Sequence, residues 1–259
     1  MGERTYYSPG TFCWAELTSS DPGAAMRFYC SLFGWQANVP PAGARGAHAT
    51  LSLDGHAVCA IARQPPRQRE AGAPPLWNSY VSVTDADETL ARVRELGGSA
   101  HSDAFEVGEA GRMAVVQDPQ GAFFELWQAR SRHGAGLVNA PGAPTWNELV
   151  SADPDAAAGF YSELLGWSSA PFDGAPLPYI SLVNGGDSAA GIRALDGAGV
   201  APGWLVYFGS AALDADVARA QELGARLLEG PVQLSVGRVA TLADPQGAPF
   251  ALFDGDFDE

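Results

Sequence analysis

Lysine is absent. All 15 basic residues of the 259-residue chain are arginine, which excludes Schiff-base chemistry, a lysine general base and a phosphate-cradling loop that ends in Gly-Lys. Cysteine is scarce. Cys13, Cys30 and Cys59 are an odd number confined to the first quarter, which argues against a disulfide framework and for reduced thiols. No C-x-x-C or H-E-x-x-H spacing marks a zinc site, and no G-x-S-x-G elbow marks a hydrolase. Long apolar runs are missing too: none reaches the ~18 residues of a membrane span, and Met1 to Gly10 carries no apolar signal core. A cytoplasmic protein without a membrane partner is expected. Positive charge is in short supply, with 15 arginines against 30 acidic residues for a net charge of −15. Without a basic cluster, nucleic acid is a poor partner. What remains is a chain that is 46% hydrophobic, enough for a proper core, expected as a monomer or homodimer that handles a small molecule.

The chain repeats itself. Residues 14–35, WAELTSSDPGAAMRFYCSLFGW, return as WNELVSADPDAAAGFYSELLGW at 146–167. Trp77, Tyr80 and RELGG return as Trp204, Tyr207 and QELGA, and Gly111-Arg112 and DPQGA return as Gly237-Arg238 and DPQGA. The order holds while the spacing drifts by a few residues, as loop deletions would produce. Two units follow, 1–128 and 145–259, joined by a Gly-, Ala- and Pro-rich linker at 129–144.

Each unit has the same grammar. Residues 11–18 alternate like a strand. Asp21-Pro22 starts a helix whose stripe is Ala25, Phe28, Tyr29 and Leu32, and Gly34 stops it. Residues 48–63 read as a hairpin about Asp54-Gly55. A strand at 77–84, a helix at 85–96 and two strands joined by DPQGA complete the unit. The second unit places helices near 154–165 and 213–223. The class is α+β, with four βαβββ modules, two per unit.

The W-x-E-L-x-S-x-D-P opening, the FYxxLxGW helix end and the DPQGAxF turn resemble the vicinal oxygen chelate superfamily of glyoxalases, bleomycin-resistance proteins and extradiol dioxygenases. The resemblance covers nearly the whole chain, twice. It implies tandem glyoxalase-like domains in which paired modules form two cup-shaped mixed sheets, each able to hold a ligand and often a divalent metal. The family's ligand positions fall at Trp14, Asn78 and Glu125 in the first unit and at Trp146, Leu205 and Ala251 in the second. Indole has no lone pair for a metal, and one carboxylate does not make a site. No metal and no other cofactor is therefore expected.

Aromatics stand where the metal ligands would be. Strand alternation puts Trp14 with Glu16, and Trp146 with Glu148, on one face. If that face is the cup, the first cup adds Asn78, Tyr80, Phe123, Glu125 and Trp127, with His48 from the hairpin. The second adds Leu205, Tyr207 and Phe253. Trp35 and Trp167 read as core. Glu16 and Glu148 are the candidate acid–base residues, since a carboxylate among aromatics is held at a raised pKa. A structural partner for them would come from Arg112 or Arg238. Two readings lead: sequestration of a planar aromatic molecule or antibiotic, and a metal-independent isomerase, cyclase or lyase of secondary metabolism. The ligand positions disfavour a metal-dependent glyoxalase or dioxygenase.

Overall fold

A computed structural model of the protein describes residues 2–39, 48–195 and 201–257. The expected local signals are used as written. Asp21 accepts a hydrogen bond from the amide of Ala24 at the start of helix Pro22–Phe33, and Gly34, at φ 72°, closes that helix in the left-handed conformation. Asp153 and Gly166 do the same for helix Pro154–Leu165. Asp54 and Gly55 both take positive φ, the tight turn that matches the twist of strands His48–Leu53 and His56–Arg63.

Two mixed sheets result. The first runs in the order 36–38, 48–53, 56–63, 12–19, 76–82, 123–129, 111–117, 99–100, with the short strand Phe105–Glu106 added beside 111–117. The second repeats that order with 168–171, 179–184, 187–194, 144–151, 203–209, 249–255, 237–243 and 226–234. In each, the opening strand lies parallel to the hairpin strand and antiparallel to the first strand of the next module. The first sheet thus uses strands between residues 12 and 129 and the second strands between residues 144 and 255, with no strand exchanged between them. Among the described residues, no helix is long and apolar enough to cross a membrane.

The helix-bearing faces of the two sheets pack against each other. One core joins Leu17, Tyr29, Trp35 and Trp77 of the first unit to Phe208, Val217 and Phe250 of the second. The other joins Val81, Leu90 and Phe124 to Leu149, Tyr161 and Trp204. Buried polar groups fix the contact as a mirrored pair of clasps. Trp77 Nε1 donates to the Tyr29 hydroxyl at 2.9 Å, which donates to Asp244 at 3.2 Å. Trp204 Nε1 donates to Tyr161 at 2.9 Å, and Tyr161 to Asp118 at 3.1 Å. Gln246 accepts from Ser19, Ser20 and the Asp21 amide, as Gln120 accepts from Ser151 and the Asp153 amide. The DPQG turns therefore bind the opposite unit. Of the three repeated pairs of indoles, Trp14/Trp146 is the one left for the cups, which face away from this interface.

The segment 129–144 is more than a spacer. Ala135 and Gly136 donate backbone hydrogen bonds to Cys13 and Ala57, the Tyr7 hydroxyl donates to Ala135, and strand Leu137–Val138 pairs with Gly2–Glu3. A Gly- and Ala-rich chain can lie this close to a sheet and find partners for its amides. The segment closes one end of the first cup, where Trp127 Nε1 donates to the carbonyl of Arg132 at 2.9 Å.

Candidate functional site

The first cup is built on the opening strand Phe12–Ser19, whose residues alternate between the core and the concave face. A bulge between Phe12 and Trp14 resets the register. Phe12 therefore enters the inter-unit core, against Trp204, while Trp14, Glu16 and Thr18 face the cup. Pairing carries this face across the sheet. Trp14 lies opposite Tyr80, Glu16 opposite Asn78, and Glu125 beside Tyr80. Phe123, Glu125 and Trp127 share a face by alternation.

Four titratable groups meet there. Glu16 Oε2 lies 2.9 Å from His48 Nε2, with the carboxylate side chain 17% exposed and the imidazole 38% exposed. The Tyr80 hydroxyl also turns to Glu16, and burial among the two glutamates pushes its pKa up. Glu125 is 5% exposed, and its Oε2 has no hydrogen-bond partner. Burial, with Glu16 as a near like charge, raises its carboxyl well above the usual carboxylate range. The shift favours the protonated form of Glu125, in which a buried carboxyl can donate a hydrogen bond.

The second cup has the same frame and different contents. Glu148 takes the place of Glu16 and Tyr179 that of His48, each pair lying on corresponding strands. Arg193 stands where the first cup has Ala62. Its Nε donates to Glu148 at 2.7 Å and its Nη2 to Glu229 at 3.2 Å, all three largely withdrawn from solvent. Trp146 Nε1 donates to Tyr179 at 3.1 Å, and Tyr179 lies across Gly191, where a Cβ would collide with it. Burial raises the Glu148 carboxyl, opposed by Arg193 and by the hydroxyls of Tyr207 and Tyr179. A pocket of about 60 Å³ remains above Tyr207 and Thr241. Leu205, Tyr207 and Ala251 form the apolar floor, with Trp146 and Phe253 against it.

These contacts revise some expectations. Arg112 pairs with Asp87 and Glu106, and Arg238 with Asp214. Neither reaches a cup glutamate, because both alternate onto the opposite face of their strands. The partners are His48 and Arg193. Asn78 is on the cup strand, but its Nδ2 is spent on the Glu16 carbonyl and on Thr18. Phe123 stands at the rim, 38% exposed and tilted against His101. His56 lies 3.7 Å from Glu3, away from the Glu16 group. Tyr179 and Arg193 were missed from sequence. The signal was an arginine at a buried position in the otherwise uncharged run 188–194 of its strand, where a charge is kept only with a partner.

Residues 11–126 match the model of the glyoxalase/bleomycin resistance protein/dioxygenase superfamily, and residues 145–253 that of a glyoxalase-like domain. A protein of Mycobacterium tuberculosis named "Putative glyoxylase CFP32" is 40% identical over 255 residues, 97% of each chain. The chain belongs to the vicinal oxygen chelate superfamily. The anthracycline biosynthesis protein DauV of a Streptomyces species is 36% identical over 263 residues, spanning 96% of this chain and 95% of the relative. Among solved structures, the 2,2',3-trihydroxybiphenyl 1,2-dioxygenase of Sphingomonas wittichii superposes with a TM-score of 0.65 at 14% identity, covering 96% of this chain and 92% of that one. The Mn(II)-bound glyoxalase of Novosphingobium aromaticivorans gives 0.64 at 16%, covering 97% and 85%. At such identity the likeness is one of fold.

Vicinal oxygen chelate proteins often hold a metal in the cup, and the positions that would supply its ligands are occupied differently here. The three positions of the first cup carry an indole without a lone pair for a metal, a neutral amide that offers one oxygen, and Glu125. Those of the second carry Trp146, Leu205 and Ala251. Among the described residues no group of three His, Cys, Asp or Glu side chains converges closely enough to hold a metal ion. The donor set does not fit a divalent ion, which asks for three or four converging ligands.

Proposed function

We propose that the first cup is a metal-independent acid–base site acting on a planar, oxygen-bearing small molecule of secondary metabolism. One observation carries the reading: Glu125 is a buried carboxyl with an unpartnered oxygen beside the Glu16–His48 pair. An unsatisfied buried polar group costs about 1–3 kcal/mol. Sequestration needs shape and stacking only, and gains nothing from that cost. A proton-transfer site does gain from it. Glu16 takes a proton from a carbon or hydroxyl of the bound molecule, with His48 as its hydrogen-bonded partner. The negative charge that builds on the molecule's oxygen accepts the hydrogen bond from Glu125. Return of the proton to another atom completes an isomerisation, and atoms balance with no co-reactant. Tyr80 holds Glu16 in place, and Trp14 and Trp127 supply flat apolar surface for stacking. The anthracycline biosynthesis relative supports a polycyclic aromatic substrate, and the second cup, with Glu148 tied to Arg193, serves as a support.

The test is solvent deuterium exchange. The full chain is incubated in D₂O with hydroxylated anthraquinones and anthracycline-type ring systems, with and without a chelator, and the small molecules are weighed by mass spectrometry. Exchange or an isomeric product is expected, insensitive to the chelator and lost in Glu16→Gln. A compound that is retained by the protein with unchanged mass and no exchanged hydrogen would sink the catalytic reading and leave sequestration.

A further inference from the structure

The strap that closes one end of the first cup also brings a cation to its wall. Residue 132 is held there by its backbone. Its amide donates to the Ala110 carbonyl at 3.1 Å, the Ser131 hydroxyl donates to the Glu109 carbonyl at 2.8 Å, and Trp127 Nε1 donates to the Arg132 carbonyl at 2.9 Å. From this anchor the partly buried Arg132 side chain lies over the Trp14 ring, with the guanidinium carbon 5.3 Å from the centroid. Trp14 packs with Tyr80 and Trp127, so the cation stands on the indole wall of the cup. Its neighbours are spent elsewhere: Arg130 pairs with Glu106, and Arg112 with Asp87 and Glu106. Among the described residues no oxygen accepts from the Arg132 guanidinium, and the segment 40–47 contains no Asp or Glu.

A cation–π contact holds a charge and makes none of its hydrogen bonds. A guanidinium has five N–H donors in a planar fork, and its charge persists at any working pH. Arg132 therefore keeps donors to offer at the surface on which a flat ligand would stack. Glu125 in its protonated form donates a hydrogen bond and brings no charge, so a negative oxygen in the cup still needs a cation. Since the cation lies on the stacking wall, the oxygen that reaches it is one carried directly on the ring. We infer that Arg132 is a specificity-determining contact of the first cup, which takes a flat aromatic ligand by an ionised hydroxyl of its ring. This rests on the reading that the first cup takes the ligand, and it adds the ligand's class: a phenol or enol that ionises in the site.

The experiment uses a monohydroxyanthraquinone, whose visible absorption moves to longer wavelength on ionisation, and its methyl ether. The full chain and Arg132→Gln, checked for folding by circular dichroism, are each titrated with both compounds between pH ~6 and ~9. On the wild type the bound hydroxyl is expected to ionise at lower pH than it does in water. In Arg132→Gln its pKa is expected to rise by about one unit or more, tenfold in the ionisation constant. The methyl ether, which has no proton to lose, is expected to bind both proteins within about twofold. A bound hydroxyl that ionises at higher pH on the wild type than in water overturns the inference, and needs no variant to show it. An equal pKa on wild type and Arg132→Gln overturns it too. So does an equal loss of both compounds in the variant, which would make Arg132 a packing residue of Trp14. Absence of binding by both compounds overturns it together with the aromatic-ligand reading. The expected shift with no deuterium exchange upholds the contact and removes only the acid–base reading.

Discussion

Replacing Arg193 with methionine isolates what the second cup is for. The guanidinium lies between Glu148, at 2.7 Å, and Glu229, at 3.2 Å, with the Arg193 side chain 10% exposed and that of Glu148 7% exposed. Methionine keeps the aliphatic stem and removes the charge. Glu148 is then a buried carboxylate without its cation, and breaking such a pair costs about 3–5 kcal/mol. That is a large part of the ~5–15 kcal/mol that holds a domain together. The pH dependence has a definite sign. Burial already raises the Glu148 carboxyl and Arg193 opposes the rise. Without Arg193 the folded chain keeps this proton to higher pH than the unfolded chain does. The stability associated with the proton is fully present below the ordinary carboxylate pKa and is lost as pH rises through the folded value. The deficit of Arg193→Met should therefore be smallest near pH ~4.5 and full near pH ~8. The double variant Glu148→Gln/Arg193→Met should recover most of it, giving a coupling energy of about 2 kcal/mol or more. Urea unfolding followed by circular dichroism at both pH values measures all of this. A deficit at pH ~8 below about 1 kcal/mol, or one equal at the two pH values, would refute the assignment of Arg193 as the lock of this cup.

Other expectations concern the first cup and the clasps. Burial raises the Glu125 carboxyl in the folded chain, so the stability associated with its proton falls as pH rises above the ordinary carboxylate range. Glu125→Gln removes that slope, and melting curves between pH ~4.5 and ~8 should shift in favour of the variant toward the alkaline end. His48→Gln changes stability by less than about 1 kcal/mol, because the pair with Glu16 is partly exposed, yet it should slow any hydrogen exchange from bound substrate by about 100-fold. Phenylalanine at Tyr161 strands the Trp204 N–H and one oxygen of Asp118. A loss of about 2–3 kcal/mol in denaturant unfolding is expected, with first-cup affinity unchanged within about twofold.

The sequence by itself determined the fold class, the repeated modules and most element boundaries. The helix starts at Asp21-Pro22 and Asp153-Pro154, the glycine stops at Gly34 and Gly166 and the Asp54-Gly55 turn are local devices, and local devices are legible one residue at a time. The repeat was legible for another reason. Tyr29, Trp35, Trp77 and the DPQG turn recur because each unit offers the same surface to the other, so the duplicated motifs describe the inter-unit clasp. The cups were less legible, since they are where the units differ. That Trp14, Glu16, Glu125 and Trp127 share one face follows from alternation, but the partners of the two glutamates depend on pairing across strands far apart in the chain. His48 reaches Glu16 over 32 residues and Arg193 reaches Glu148 over 45. Only the tertiary structure decided that one carboxylate is locked by a buried guanidinium while its counterpart pairs with a partly exposed histidine beside an unpartnered acid. Burial and charge at such sites are sums over many strands, and no short stretch of sequence contains them.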